Sequence, residues 1–397
     1  MTTQQTFPKI TDEAIAALRG RIGIERPWTQ PYCEWAHPDN IRHFCDGIGD
    51  MNPLYRSEEY ASKTGWRTVI APPAFLYCCW YGGGYDDPAR KRKLTEEEKQ
   101  RGRGGALPGI HGLWSGCRWE WYVPVRLGDR LTPTEYMADV QEKRGRFAGR
   151  QLLETTEKVF RNGNGVVVAK CQDYSMRIER DKGHETKKYG ALTAPTYSPE
   201  EIARIEAETL AEEVRGANPR YWEDVQIGES LKPVIKGPLL ITDMVCWYAG
   251  RGGRFNVAHG IRTRYFKRHP AAGIINEQGV RDVPNRVHWE NEFAKRIGAP
   301  GAYDVGPQRV SWVTHLLTNW IGDDGFLKSL QIEARAMNHI MDVTRCKGVV
   351  KDKYVKDGHH VVAVEVWAEN QRGITMPGRA EVVLSTRAEP GNPYQRL

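Results

Sequence analysis

The sequence predicts an α+β fold assembled from two related halves, each a helical stretch followed by several long antiparallel strands. Three observations predict it. Residues 52–65 are echoed by residues 285–298 at a constant offset of 233 with no gap: Asn52, Glu59, Ala61 and Gly65 recur as Asn285, Glu292, Ala294 and Gly298, and Leu54/Val287, Tyr60/Phe293 and Lys63/Arg296 are conservative pairs. Each copy is followed by period-two alternation rich in Val, Thr and Trp, over 151–160 and 166–171 in the first half and 360–370 and 379–387 in the second, which reads as half-buried strands. Between the halves, Ser198-Pro199-Glu200-Glu201 is a capping box with Pro at the first helical position, followed by Ile202, Ile205, Leu210 and Val214 and closed by Gly216.

These signals divide the chain into residues 1–185, a linker with a connecting helix at 186–216, and residues 217–397, with the second half opening near Tyr221-Trp222-Glu223-Asp224-Val225-Gln226-Ile227-Gly228. Two insertions break the symmetry. Residues 86–105, with Arg90-Lys91-Arg92-Lys93 and Glu96-Glu97-Glu98-Lys99, read as an exposed charged helix with flexible flanks, either a solvated face or a phosphate-facing lid. The second, about 250–283, holds Gly250-Arg251-Gly252-Gly253-Arg254, expected to be a mobile loop, and His259.

Composition narrows the class. Apolar residues at 40% and charged residues at 27% exclude a disordered chain. No apolar run approaches the roughly 18 residues of a membrane span, and the first residues lack the basic and apolar pattern of a signal peptide, so a cytoplasmic protein with no membrane partner is expected. The 57 Lys and Arg against 50 Asp and Glu leave a net charge of +7, too mild and too interrupted by acids to predict a nucleic-acid partner. The 8 Cys form no C-x-x-C pair, so buried reduced thiols and no metal are expected. The 13 Trp call for large buried aromatic surfaces or an aromatic pocket.

One segment is more specific. Phe44-Cys45-Asp46-Gly47-Ile48-Gly49-Asp50-Met51-Asn52-Pro53-Leu54-Tyr55 resembles the signature of MaoC-like enoyl-CoA hydratases and dehydratases, aromatic-Ala-x-x-Ser-Gly-Asp-x-Asn-Pro-x-His. The segment from Tyr221 to Gly228 resembles the opening of such a domain, and those at Gly128-Asp129 and Asp342 resemble its turn before a long strand. The resemblance covers most of both halves and implies a double hot-dog fold: two tandem domains, each a long helix wrapped by an antiparallel sheet, the first dehydratase-like. It also implies an Asp and a His on one loop as acid and base, and a backbone N–H at a helix start that holds the thioester oxygen.

Neither half carries the full pattern. The first keeps Asp50, Asn52 and Pro53 but has Tyr55 for the His; the second keeps Asn285 and His288 but has Val283 at the Asp position, with Asp282 one residue earlier. Pro72-Pro73 offer no N–H, whereas Gly306-Pro307 at the same offset precede Val310, Val313, Leu317 and Trp320, a buried-helix spacing. The second half is therefore expected to be catalytic, with His288 and Asp282 as acid and base and Gly306 at the oxyanion. Asp50, Asn52, Asn285 and His259 are secondary candidates; aligned directly from Tyr248-Ala249, His259 takes the place of the motif's His and Arg254 that of its Asp. His315, on the central helix, is expected to be packed. The first half would form the wall of the acyl tunnel.

The expected activity is reversible hydration of a 2-enoyl-CoA, or dehydration of a 3-hydroxyacyl-CoA, with the CoA thioester as substrate and no cofactor. A non-catalytic thioester-binding partner subunit and an acyl-CoA thioesterase are the alternatives. A homodimer or larger homo-oligomer, or a hetero-partner, is expected. Trp80, Trp114, Trp119, Trp121 and Trp312 suit either a pocket for a broad or ring-containing acyl group or plain core packing.

Overall fold

The computed structural model describes residues 9–27, 31–80, 95–96, 107, 110–145, 149–179, 193–252, 257–296 and 299–396. The first half supplies strands β1 (Arg26–Pro27), β2 (His111–Trp121), β3 (Thr132–Gly145), β4 (Gly149–Arg161) and β5 (Val167–Ile178). The second supplies β6 (Val234–Lys236), a small ladder of β7 (Ile274–Ile275) and β8 (Arg281–Asp282), then β9 (Phe326–Glu333), β10 (Thr344–Lys356), β11 (His359–Asn370) and β12 (Gly373–Val383). All except β7 and β8 join one ten-stranded antiparallel sheet in the order β1-β3-β4-β5-β2-β9-β12-β11-β10-β6. Read inward from either edge, each half has the same order. The seam is β2 against β9, with Gly116 opposite Glu333 and Glu120 opposite Ser329.

The helices, in chain order, are α1 (Asp12–Arg19), α2 (Pro38–Ile48), α3 (Glu58–Ala61), α4 (Leu76–Trp80), α5 (Pro199–Leu210), α6 (Ile241–Arg251), α7 (His259–Arg268), α8 (Asn291–Arg296) and α9 (Gly306–Ile321). The connecting helix α5 has its capping box: the Ser198 hydroxyl accepts from Glu201 N at 3.2 Å, and the Glu201 carboxylate accepts from Ser198 N at 2.8 Å. Helix α9 is buried on every face from Pro307 to Ile321, its polar residues Gln308, Arg309, His315 and Asn319 included, because the sheet encloses it. Its first-half counterpart is a 3-10 turn, Pro73–Phe75, running into α4. A wrapped helix in each half makes the molecule a double hot-dog. The charged insertion at 86–105 lies outside the described residues apart from 95–96. Trp119, Trp121 and Trp312 belong to the core, which settles their half of the aromatic question in favour of packing.

The pairing of α2 with α6 fixes how the halves correspond. A Cβ on Gly47 would meet the Cys246 carbonyl oxygen at 2.8 Å, and one on Gly250 would meet the His43 carbonyl oxygen at 2.3 Å. These contacts are reciprocal, as across a two-fold axis: Gly250 and Cys246 are Gly47 and His43 displaced by 203. The glycines that close the two helices, Gly49 and Gly252, obey the same offset. After the insertion the offset is 233, with Ala61 and Ala294 both fully buried. The inserted length is therefore thirty residues. This corrects the expected correspondence of Asp50 with Val283. The loop position directly after the helix falls on Gly253, which has no side chain to act as an acid and lies outside the described residues.

Candidate active site

A cavity of about 780 Å³ lies between the halves. The second half contributes Tyr248, Arg251, Asn285, His288, Asp304 and Gly306 to its wall, and the first contributes Trp80, Trp114, Lys158 and Asp173. The symmetry-related place in the first half, lined by Leu54, Tyr55, Pro72 and Pro73, encloses only about 40 Å³. The buried Tyr55 phenol stands there in place of an imidazole. The two halves have thus diverged into one open and one closed site.

His288 closes a 3-10 turn, Pro284–His288, whose Pro fixes the entry angle. Its Nδ1 lies 2.9 Å from the Tyr303 carbonyl oxygen. A carbonyl only accepts, so Nδ1 carries the proton and Nε2 keeps its lone pair. Burial lowers the imidazole's pKa below 6.5, against the opposing pull of the Tyr303 carbonyl and Asp304, with Arg251 adding to the downward shift. The result is a neutral, oriented base. Beside it, Asn285 Nδ2 donates to the Tyr248 hydroxyl at 2.9 Å.

Gly306 is the first residue of α9, where a backbone N–H has no acceptor within the helix. Its missing side chain is required by Trp114, since a Cβ there would lie 2.2 Å from the indole Cε3. The helix N-terminus therefore faces the cavity flanked by an indole, with its positive dipole end available to an oxygen gaining charge.

The structure brings His288, Asn285 and Gly306 together and leaves the other candidates elsewhere. Asp282 is not drawn to His288. It sits on β8, its carboxylate 3.6 Å from Arg286 and 3.9 Å from Arg262, and accepts from Val283 N at 2.7 Å. The cause is Arg286, 5% exposed, whose charge gathers Glu277 and Glu290 as well. His259 opens α7 as an exposed residue outside the cavity wall. Asp50 and Asn52 are buried in a separate polar cluster. There Asp50 accepts from Asn52 N at 2.9 Å and lies 3.6 Å from His315 Nε2. His315 is packed, as expected, with Lys236 Nζ 3.1 Å from its Nδ1 and Glu212 2.8 Å from its Nε2. Glu212 comes from the segment that follows α5, so the connection between the halves supplies a carboxylate to this polar cluster.

Sequence reading missed Asp173 and Lys158; Trp114, named there as a residue of an aromatic pocket or of the core, lines the cavity. Asp173 on β5 shares a strand face with the buried Ala169 and Cys171, and Lys158 on β4 shares one with the buried Leu152 and Phe160. A charge at an inward position of an alternating strand is the signal that marks them. The Trp114 indole Nε1 donates to Asp173 at 2.7 Å, and Lys158 Nζ lies 3.4 Å from the same carboxylate. Burial pushes the Asp173 pKa above the ordinary carboxylate value, against the pull of Lys158 and Trp114. Asp304, the other acid near His288, is saturated by Arg309 Nε at 2.7 Å and Asn338 Nδ2 at 3.2 Å. Among the described residues no group of three or more His, Cys, Asp or Glu is gathered as a metal site would need, and no helix is long and apolar enough to cross a membrane.

Residues 36–171 match the family model described as "FAS1-like, dehydratase domain region". The chain is 54% identical over 144 residues to a UPF0336 protein of Thermobifida fusca, covering 36% of this chain and 84% of that one. A structure titled "MaoC-like dehydratase" superposes over 93% of this chain and 100% of its own with a TM-score of 0.62 at 17% identity. The chain belongs to the UPF0336 family, and its fold is that of the MaoC-like dehydratases. The matched dehydratase region, within residues 36–171, supports a hydratase or dehydratase role. A further relative is a "Probable enoyl-CoA hydratase alpha subunit" of Thermomonospora curvata, 26% identical over 150 residues that cover 37% of this chain and 46% of that one. Of the residues that the sequence resemblance singled out, His288 and Gly306 line the open cavity, while the position that matches Asp50 is Gly253.

Proposed function

We propose that the chain adds water reversibly across the double bond of a 2-enoyl-CoA, or removes it from the 3-hydroxyacyl-CoA. One observation carries this reading: a neutral imidazole of fixed tautomer, His288, and an uncapped helix N-terminus at Gly306 open into one cavity between the halves. The Nε2 lone pair takes a proton from water as the oxygen adds to the β-carbon. The Gly306 N–H stabilises the negative charge that gathers on the thioester oxygen. This chemistry calls for no cofactor beyond the thioester itself. Trp80 and Trp114 in the wall favour a substrate with a broad acyl group. A soluble cytoplasmic enzyme acting as a homo-oligomer completes the proposal.

A second reading, a thioester-binding subunit that needs another chain for turnover, draws on one observation: the partner of His288 is a backbone carbonyl and not a carboxylate. The experiment is the loss of absorbance at the conjugated thioester for crotonyl-, trans-2-octenoyl- and cinnamoyl-CoA, run with a thiol reagent. Loss of absorbance without thiol release supports the hydratase. Thiol release supports the alternative thioesterase, and binding with neither change supports the subunit.

A further inference from the structure

The open site holds a base and an oxyanion donor but has lost the loop acid, because the residue after Gly252, the cap of α6, is Gly253. Hydration needs a second proton handler, since one proton leaves water and another must reach the carbon next to the thioester. The wall facing the second half offers a carboxylate for the task. Asp173 lines the same cavity as His288, and a single indole links it to the oxyanion residue: Trp114 lies against Gly306 with its six-membered ring and donates to Asp173 through Nε1 at 2.7 Å. Asp173 is thus one indole's width from the N-terminus of α9.

Its surroundings are not those of a stabilising ion pair. Lys158 is 2% exposed and lies 3.4 Å from Asp173, with its Nζ 3.4 Å from the centroid of the Trp80 ring. Withdrawing both charges from water gains little or nothing in stability compared with an apolar pair, so retaining them in a cavity wall points to use. The remaining acid beside His288, Asp304, is fully engaged by Arg309 and Asn338.

Resting on the hydratase reading, we propose that Asp173, reaching in from the first half, is the catalytic acid of the second half's site, with Trp114 and Lys158 as its positioning residues. In hydration, His288 Nε2 takes a proton from water while the water oxygen bonds to the β-carbon. The C=C electron pair moves toward the thioester oxygen at Gly306. As that pair returns, the Asp173 carboxyl gives its proton to the α-carbon, and the His288 imidazolium restores the proton to Asp173 through solvent. One water is consumed, and both side chains end as they began. Burial shifts Asp173 upward and His288 downward, the direction that each role calls for. The first half is then a catalytic partner in the site as well as a wall.

The test compares wild type, His288→Ala, Asp173→Asn and Trp114→Phe on whichever of crotonyl-, trans-2-octenoyl- and cinnamoyl-CoA turns over fastest. Asp173→Asn should lower kcat about 10²–10⁴-fold and abolish the high-pH limb of the rate profile. Its Kd for butanoyl-CoA, measured calorimetrically, should stay within about threefold of wild type. Trp114→Phe removes a donor from the carboxylate and should move the high-pH limb upward, an effect that a purely structural role would not produce. Because Asp173→Asn leaves Lys158 buried beside a neutral group, the double variant Asp173→Asn/Lys158→Met provides the same reading if the single variant does not fold. Full turnover in Asp173→Asn with none in His288→Ala overturns the assignment of Asp173 and leaves the hydratase reading standing. Full turnover in both overturns both.

Discussion

His288 is locked by Tyr303: its Nδ1 donates to that residue's carbonyl oxygen at 2.9 Å, so only Nε2 can work as a base. Burial holds the ring's pKa below 6.5. The sign follows directly. The base is active when neutral, so the low-pH limb of kcat/KM should lie below 6.5, and activity should fall only as the pH drops through that lowered value. His288→Ala and His288→Asn should each lose about 10²–10⁴-fold in kcat. The same shift makes the fold acid-sensitive here, since the unfolded chain takes up this proton more readily than the folded one. His288→Asn should therefore lose less stability than wild type between pH 7 and 5, read as denaturation midpoints.

Gly306 and Trp114 are coupled by contact. A methyl at Gly306 would sit 2.2 Å from the indole, and on the proposed reading it would crowd the N–H offered to the thioester oxygen. Gly306→Ala should destabilise by about 1–3 kcal/mol through overpacking. Adding Trp114→Ala should recover part of that loss, so the double variant should be more stable than the sum of the singles implies. Activity should not return, because Trp114 also holds Asp173 on the reading above. Urea midpoints check the first statement and turnover the second.

The buried polar cluster around His315 should report on acid. Burial would raise the Glu212 pKa, but His315, Lys236 and Asn319 together hold it at about 2. A carboxylate with a lowered folded pKa contributes stability above its unfolded value, 4.5, and loses that contribution as the pH falls through about 2. Glu212→Gln should cost on the order of 3 kcal/mol at neutral pH and flatten the stability profile below pH 4.5. Turnover at the open cavity should be unchanged, because Glu212 does not line it.

How much of this was legible in the sequence depended on whether the signal was local. Ser198 and Glu201 specify their helix by neighbouring atoms alone, and Val310, Val313 and Leu317 do so by period. His288 and Gly306 could be named because a gapless offset carried them past the insertion, and both line the cavity. The position matching Asp50 could not. A thirty-residue insertion lies between the end of α6 and the His288 turn, so a single offset assigned Val283 to a place that belongs to Gly253, and Asp282 became its nearest substitute. Only the attraction of Arg286 for carboxylates, a tertiary fact, shows where Asp282 goes. Asp173 and Lys158 are more than a hundred residues from His288 and are joined to it by the seam of the sheet, which no local pattern encodes.

The reciprocal crossing of α2 and α6 supports a last prediction. At the crossing each helix presents a glycine to the other's backbone, Gly47 to Cys246 and Gly250 to His43. Backbone cannot swing aside as a side chain can, so an added methyl must push the helices apart. Gly250→Ala, with the closer approach of 2.3 Å, should destabilise more than Gly47→Ala at 2.8 Å, each by about 1–3 kcal/mol. If the halves are held by this contact as a pair, separation at one glycine relieves the other, and the double variant should cost less than the two singles added. Thermal midpoints of the three variants decide it; strict additivity would mean that the two glycines act on independent contacts and that the crossing is not a single hinge of the dyad. Because α6 also carries Tyr248 and Arg251 into the cavity, Gly250→Ala should raise KM for the enoyl thioester, while Gly47→Ala, on the helix that serves the closed site, should leave KM nearer to wild type.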